Sequence, residues 1–249
     1  MKTSKDLPSS PEIKALGELI KESDNIVFFG GAGVSTEIGI PDFRSQDGLY
    51  NMKYKYPPEM IISHSFFMSN TEEFFRFYKD KMLFPEAKPN AAHLALAKLE
   101  REGKLKAVIT QNIDGLHQKA GSRNVLELHG SVLRNRCMKC KKSFDLDYVM
   151  KAKGVPRCDE CGGTIKPEVV LYEEALDETV MNRAVHYIHN ADVLIIGGTS
   201  LTVWPAAGLI NYYRGKKLVL INRDSTDRDS EADLLIHEKI GRVFEELCI

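Results

Sequence analysis

Five short runs of aliphatic, β-branched and aromatic residues constrain this chain more than any other feature. They lie at 26–29 (Ile-Val-Phe-Phe), 107–110, 125–128, 193–196 and 218–221, with a sixth, shorter run at 234–236. Between them stand segments with helical spacing of apolar residues: Ile13, Leu16, Leu19 and Ile20 behind a Ser9 or Ser10 cap, 91–102 behind Asn90, 178–189, and a C-terminal stretch from Lys239. Short apolar strands alternating with helices predict an α/β fold, a doubly wound parallel sheet covered on both faces. The pattern breaks between Arg134 and Thr164 into Lys, Cys, Gly and Asp, which predicts a small inserted module. The aromatic- and proline-rich segment 46–89 is too long for a structureless loop and is predicted to form a helical excursion.

Each predicted strand ends in a polar or glycine-rich cluster. The first runs into Gly30-Gly31-Ala32-Gly33-Val34-Ser35-Thr36 and then Gly39-Ile40-Pro41-Asp42-Phe43-Arg44; the second into Gln111-Asn112-Ile113-Asp114; the third into His129-Gly130; the others into Gly198-Thr199-Ser200 and Asn222-Arg223. In an open parallel sheet, ligands bind beyond the carboxyl ends of the strands, so these clusters are expected to meet in one crevice. The glycine turn lacks the third glycine of the dinucleotide fingerprint, where Thr36 stands, and taken alone it fits either a phosphate site or a tight turn. Of seven histidines, His64, His93, His186 and His189 fall on predicted helices, His237 follows an edge strand and His117 is ambiguous. His129, between a strand end and a glycine, is the candidate general base.

Four of the five cysteines form two C-x-x-C pairs, Cys137/Cys140 and Cys158/Cys161, at the spacing of a four-thiolate zinc site. Four thiolates close a tetrahedral shell, so the metal would be structural; the other reading is a pair of redox dithiols. The formal charge of −1 gives no field that draws the chain to nucleic acid or an anionic membrane. No run approaches the ~18 apolar residues of a spanning helix, and the first residues lack a secretory h-region, so the expected location is cytoplasmic.

Taken in order, these clusters resemble the sirtuin family of NAD-dependent protein lysine deacylases: Gly31-Ala32-Gly33-Val34-Ser35, Gly39 to Arg44, Thr110-Gln111-Asn112-Ile113-Asp114, His129-Gly130, Gly198-Thr199-Ser200 and the four cysteines. The resemblance implies a Rossmann-like domain (1–45, 90–133 and 165–249), a helical excursion belonging to the small domain (46–89) and a zinc-binding module (134–164). It implies NAD as co-substrate and one structural zinc held by Cys137, Cys140, Cys158 and Cys161. Ala32, Gly33, Thr36, Phe43 and Arg44 would hold the phosphates, ribose and nicotinamide end; Gln111, Ile113 and Asp114, with Asn112 as a catalytic partner of His129, would hold the nicotinamide ribose and carboxamide; Thr199, Ser200 and Asn222 would line the adenosine end. An acetylated peptide would add as a strand along Val169, Val170, Leu171 and Tyr172, where similar proteins often read Phe-Gly-Glu and this chain reads Tyr172-Glu173-Glu174. Desuccinylating members are similar in a Tyr-x-x-Arg pair; the aligned positions here are Phe75 and Tyr78, which predicts neutral acyl groups, acetyl first. Mono-ADP-ribosyl transfer from the same site is the second enzymatic reading, and a non-catalytic NAD or ADP-ribose sensor the third.

Overall fold

A computed structural model describes residues 10–43, 48–49 and 54–248. Ser10 caps α1 (Pro11–Glu22) by accepting the Ile13 N–H at 3.2 Å, and the helix buries Ile13, Leu16 and Ile20. All five residues of β1 (Ile26–Gly30) are buried, and the chain then makes two 3₁₀ turns, Ala32–Val34 and Thr36–Ile38. The excursion follows as α2 (Pro58–Ile61), α3 (His64–Ser69) and α4 (Thr71–Lys81). Asn90 caps α5 (Ala91–Arg101), which leads through β2 (Leu105–Thr110), α6 (Leu116–Ala120) and β3 (Val125–Glu127). The cysteine region contains β4 (Gly130–Cys137), β5 (Ser143–Asp145), α7 (Leu146–Lys151) and β6 (Ile165–Val169). The chain then returns as α8 (Glu178–Asn190), β7 (Val193–Gly197), a 3₁₀ turn Ala206–Tyr212, β8 (Lys217–Ile221), β9 (Leu234–Ile236) and α9 (Ile240–Glu246).

The large sheet has the order β3-β2-β1-β7-β8-β9, and every neighbouring pair is parallel. The alternating sequence produces this arrangement because each crossover helix must bury its apolar stripe on a face of the sheet. One face packs Phe28, Val108 and Ile195 against α1, α5 and α9; the other packs Val27, Phe29 and Leu194 against α8 and the 206–212 turn. The strand order reverses between β1 and β7, where Gly30 pairs with Gly197. A crevice therefore opens beyond their carboxyl ends, the usual ligand position of such sheets.

A second sheet, β5-β4-β6, is antiparallel, and its strands extend on both sides of 134–164, from Gly130 to Val169. Its apolar side shares one core with the helical excursion: Ile61, Phe67, Phe74 and Phe77 pack with Val132, Val149, Ile165 and Leu171. Aromatic edges meet there, with Phe67 and Phe74 centroids 4.9 Å apart at 83°. Phe75 and Tyr78 are each 1% exposed in this core, and the Tyr78 hydroxyl is buried without a partner. Neither lines the cleft, so the acyl-selective position expected from their alignment is occupied in this structure by core packing. Among the described residues, no helix is long and apolar enough to cross a membrane.

Candidate functional site

One cavity of about 1150 Å³ lies between the two sheets and collects the polar strand ends. It is larger than the roughly 300–1,000 Å³ of an ordinary small-molecule pocket, which leaves room for a dinucleotide and a second reactant. Its walls include Ala32, Gly33, Thr36 and Phe43 after β1; Gln111, Asn112, Ile113 and Asp114 after β2; His129 after β3; Thr199 and Ser200 after β7; and Asn222 after β8. Val169, Val170, Leu171 and Tyr172 form another stretch of wall. Arg44 lies outside the described residues.

The glycines of the first turn serve a contact that the sequence does not reveal. The Gly33 N–H donates to Gly198 O at 2.7 Å, and a Cβ on Gly33 would stand 2.7 Å from Gly198 Cα. Two strand-end loops thus lie backbone to backbone at the β1/β7 reversal, an approach only glycine permits. The clasp continues through Thr199 N–H to Asn222 Oδ1 (3.0 Å) and Asn222 Nδ2 to Thr199 O (2.9 Å), while Gln111 Nε2 donates to Thr199 Oγ1 at 3.0 Å. These amides fix the spacing of three strand ends. Ala32 begins the first 3₁₀ turn, where an N–H has no acceptor within its own helix.

Asp114 is anchored by two donors: the Ser35 hydroxyl at 2.8 Å and the Leu116 N–H at 2.9 Å. The Asn112 side-chain amide donates in turn to Ser35 Oγ at 3.3 Å. Burial pushes the Asp114 carboxyl above its ordinary value, and the two donors oppose that shift. Ser35 is 1% exposed and ties the glycine turn to the cluster after β2. Its position next to a phosphate-type turn is the sole feature of Ser35 in the sequence that points to such a role.

His129 Nδ1 lies 3.0 Å from the Gln111 carbonyl, which only accepts, so Nδ1 carries the proton and Nε2 is the basic nitrogen. Burial holds the imidazole below its ordinary value despite the favourable Gln111 contact, so it is neutral at pH 7. His129 O accepts the Val170 N–H at 3.0 Å, linking this histidine to the neighbouring wall. His117 lies outside the cleft: it is 1% exposed, with its ring 4.7 Å from that of His93.

Glu173, where the family pattern has glycine, adopts φ +76°. Its carboxylate accepts the Ser65 N–H (2.9 Å) and hydroxyl (3.0 Å), which offset the cost of the left-handed conformation. Glu174 is bonded by Leu171 N–H (2.9 Å), Lys166 Nζ (3.0 Å) and His64 Nδ1 (2.8 Å). Burial alone would raise its carboxyl pKa, yet these contacts hold it below the ordinary value. The wall bearing Val170 and Leu171 is therefore braced against the helical excursion.

The four cysteine sulfurs lie within 4.8 Å of one another, with Cys137–Cys161 at 3.4 Å and Cys140–Cys158 at 3.5 Å. Thiolates ~2.3 Å from a tetrahedral zinc stand about 3.8 Å apart, so this donor set fits the ion. Two of the four, Cys137 and Cys158, are buried, which suits a structural centre.

The Sir2 family model matches residues 31–205. A Clostridium acetobutylicum protein named NAD-dependent protein deacetylase is 60% identical over 237 residues, covering 94% of this chain and 97% of its own. A Clostridium perfringens protein of the same name is 63% identical over 236 residues, with the same coverage. Among solved structures, Sir2 with p53 peptide and NAD+ superposes with a TM-score of 0.84 at 39% identity, covering 94% of this chain and 96% of that one. A Sir2 structure with deacetylated p53 peptide and 3′-O-acetyl ADP ribose gives 0.86, at the same identity and coverage. Matched almost end to end in sequence and in fold, the chain belongs to the Sir2 family, the sirtuins its strand-end motifs resemble.

Proposed function

We propose that this protein is an NAD-dependent protein lysine deacetylase. The observation that carries the reading is His129: a buried, neutral imidazole with Nδ1 fixed by the Gln111 carbonyl and Nε2 left as a base on the wall of the cleft. A binding module has no need of such a base. When bound, NAD would supply the anomeric carbon at which the acyl oxygen of the lysine displaces nicotinamide, and water would complete the conversion to free lysine and O-acetyl-ADP-ribose. His129 Nε2 would accept the proton of the attacking ribose hydroxyl. Asn112 and Asp114, joined through Ser35, orient the ribose and carboxamide at the end of β2, and Phe43 covers the nicotinamide end. Ala32, Gly33, Thr36 and Arg44 take the phosphates, and Thr199, Ser200 and Asn222 take the adenosine end. The peptide runs along Val169, Val170, Leu171 and Tyr172.

Zinc held by Cys137, Cys140, Cys158 and Cys161 would hold the small sheet together and, with its shell closed by four thiolates, would supply no chemistry to the reaction. A cytoplasmic, reducing location suits that thiolate set. The near-zero net charge supports protein rather than nucleic acid as the partner. Acetyl, a neutral acyl group, is the expected substrate; Phe75 and Tyr78 lie in the core and do not bear on this.

The test is mass spectrometry of an acetyl-lysine peptide incubated with and without NAD, following peptide and nicotinamide together. The expected result is one nicotinamide per acetyl lost, only with NAD, and abolished in His129→Ala. Nicotinamide release with mass gain on a protein target would instead establish ADP-ribosyl transfer. The rate should fall on acidification as His129 protonates, with the acid limb below the usual histidine range; an acid limb at or above that range contradicts its role as base. Faster removal of succinyl than acetyl would sink the acyl assignment.

A further inference from the structure

The loop after β7 carries the chain's single tryptophan, Trp204, on the wall of the cleft. At 66% exposure it is the most exposed large hydrophobic residue among those described. An indole normally hides most of its area or finds a use for what it shows. This ring is also seated. A Cβ on Gly208 would stand 2.5 Å from Trp204 Cζ3 and 3.1 Å from Cε3, so the benzo edge lies on the backbone of the 206–212 turn, where glycine leaves it room. One part of the ring is fixed, and the rest is open.

The surroundings indicate which reactant it meets. Thr199, earlier in the same loop and at the proposed nucleotide end, is locked to Asn222 at the end of β8. Beyond Thr199 the loop shares a core with the end of the other wall: Leu176, four residues after Tyr172, packs against the apolar cluster that holds Leu201 and Ala206. The residues flanking the indole, Thr202, Val203 and Pro205, also line the cleft and carry no charge. The open face of Trp204 thus belongs to an uncharged lip beside the proposed peptide path.

We infer that Trp204 is a specificity-determining residue that receives an apolar side chain of the substrate peptide next to the acyl-lysine. This rests on the deacetylase reading above. Because the ring is already held by Gly208, little rotamer freedom is lost on binding, and covering on the order of 100 Å² of it is worth roughly tenfold or more in peptide affinity.

The experiment uses the full-length, zinc-loaded protein and acetyl-lysine peptides that carry Leu or Gly at single positions from two residues before to two residues after the acetyl-lysine. Deacetylation is followed by mass spectrometry, and the emission of the lone tryptophan is followed during peptide titration without NAD. At one flanking position the Leu peptide should show a KM roughly tenfold lower than the Gly peptide at nearly equal kcat, and should shift the emission to shorter wavelength. Trp204→Ala should erase the difference, and Trp204→Phe should restore most of it. Turnover with no Leu preference at any position, or with a preference unchanged in Trp204→Ala, overturns the inference and leaves the deacetylase reading intact. An emission shift with NAD alone and none with peptide also overturns it, since the indole then meets the nucleotide. Absence of NAD-dependent turnover on every peptide sinks the underlying reading instead.

Discussion

Gly130→Ala puts the coupling between His129, the proposed base, and the small sheet to a severe test. Gly130 has φ +74°, and a Cβ built there would overlap the Glu168 carbonyl oxygen and stand 3.3 Å from Val169 Cα. Alanine in the left-handed region costs ~1–2 kcal/mol by itself. The overlap adds a further ~1–3 kcal/mol, because β4 and β6 meet backbone to backbone and no flexible side chain can swing away. Restoring van der Waals separation needs the strands to part by on the order of 1 Å. Since His129 precedes Gly130 and the His129 carbonyl holds Val170, that movement displaces His129, the proposed base, from the wall formed by residues 169–172. Misplacement of this size costs about 10²-fold in rate. Gly154→Ala is the matched control: φ is +71°, nothing lies within 4 Å of its Cβ, and only the conformational term of ~1–2 kcal/mol should appear. Urea unfolding and single-turnover deacetylation of both variants measure the two effects. If Gly130→Ala unfolds at the same urea concentration as Gly154→Ala and turns over at the wild-type rate, the argument from β4–β6 contact is wrong.

Three other expectations follow from the site and its frame. Ser35→Ala removes a donor from buried Asp114 and an acceptor from Asn112, a loss of ~1–3 kcal/mol, so NAD affinity by calorimetry should weaken roughly tenfold; unchanged affinity would show that the network does not shape the pocket. His93 is buried and its pKa is lowered from 6.5 to about 4 by desolvation, so the unfolded chain takes up the proton first as pH falls. Stability present above pH 6.5 should therefore decline by on the order of 3 kcal/mol by pH 4, and in His93→Leu that part of the slope should vanish. The chain should bind one zinc; its removal by a chelator, or Cys158→Ser, should unfold the β5-β4-β6 sheet and abolish turnover, and full activity without zinc would contradict a structural role.

Much of this architecture is local in origin and was readable without coordinates. The Ser10 and Asn90 caps, the five-residue β1 and the run that becomes β7 are patterns of near neighbours, set by helical period and β-branched content. The convergence of the strand-end clusters was legible too, because parallel strands joined by crossover helices must present the same ends on one edge. Likewise the C-x-x-C spacing implied four sulfurs within a few ångströms, since two knuckles suffice to enclose one ion.

What the sequence could not fix are contacts whose partners lie far apart along the chain and whose side chains satisfy no periodic rule. Ser35 reaches Asp114 across 79 residues. Gly33 proved to be a seat for Gly198 as well as part of the cleft wall. Phe75 and Tyr78 turned into the shared core of the excursion and the cysteine module, where burial in an aromatic cluster removes their rings from water. Glu173 took a left-handed conformation because Ser65, more than a hundred residues earlier, supplied two donors to hold it. Composition and spacing determined which elements form and which chemistry they carry. Tertiary packing decided which atoms touch, because close contacts depend on how independently formed elements dock, and local sequence carries almost no record of that.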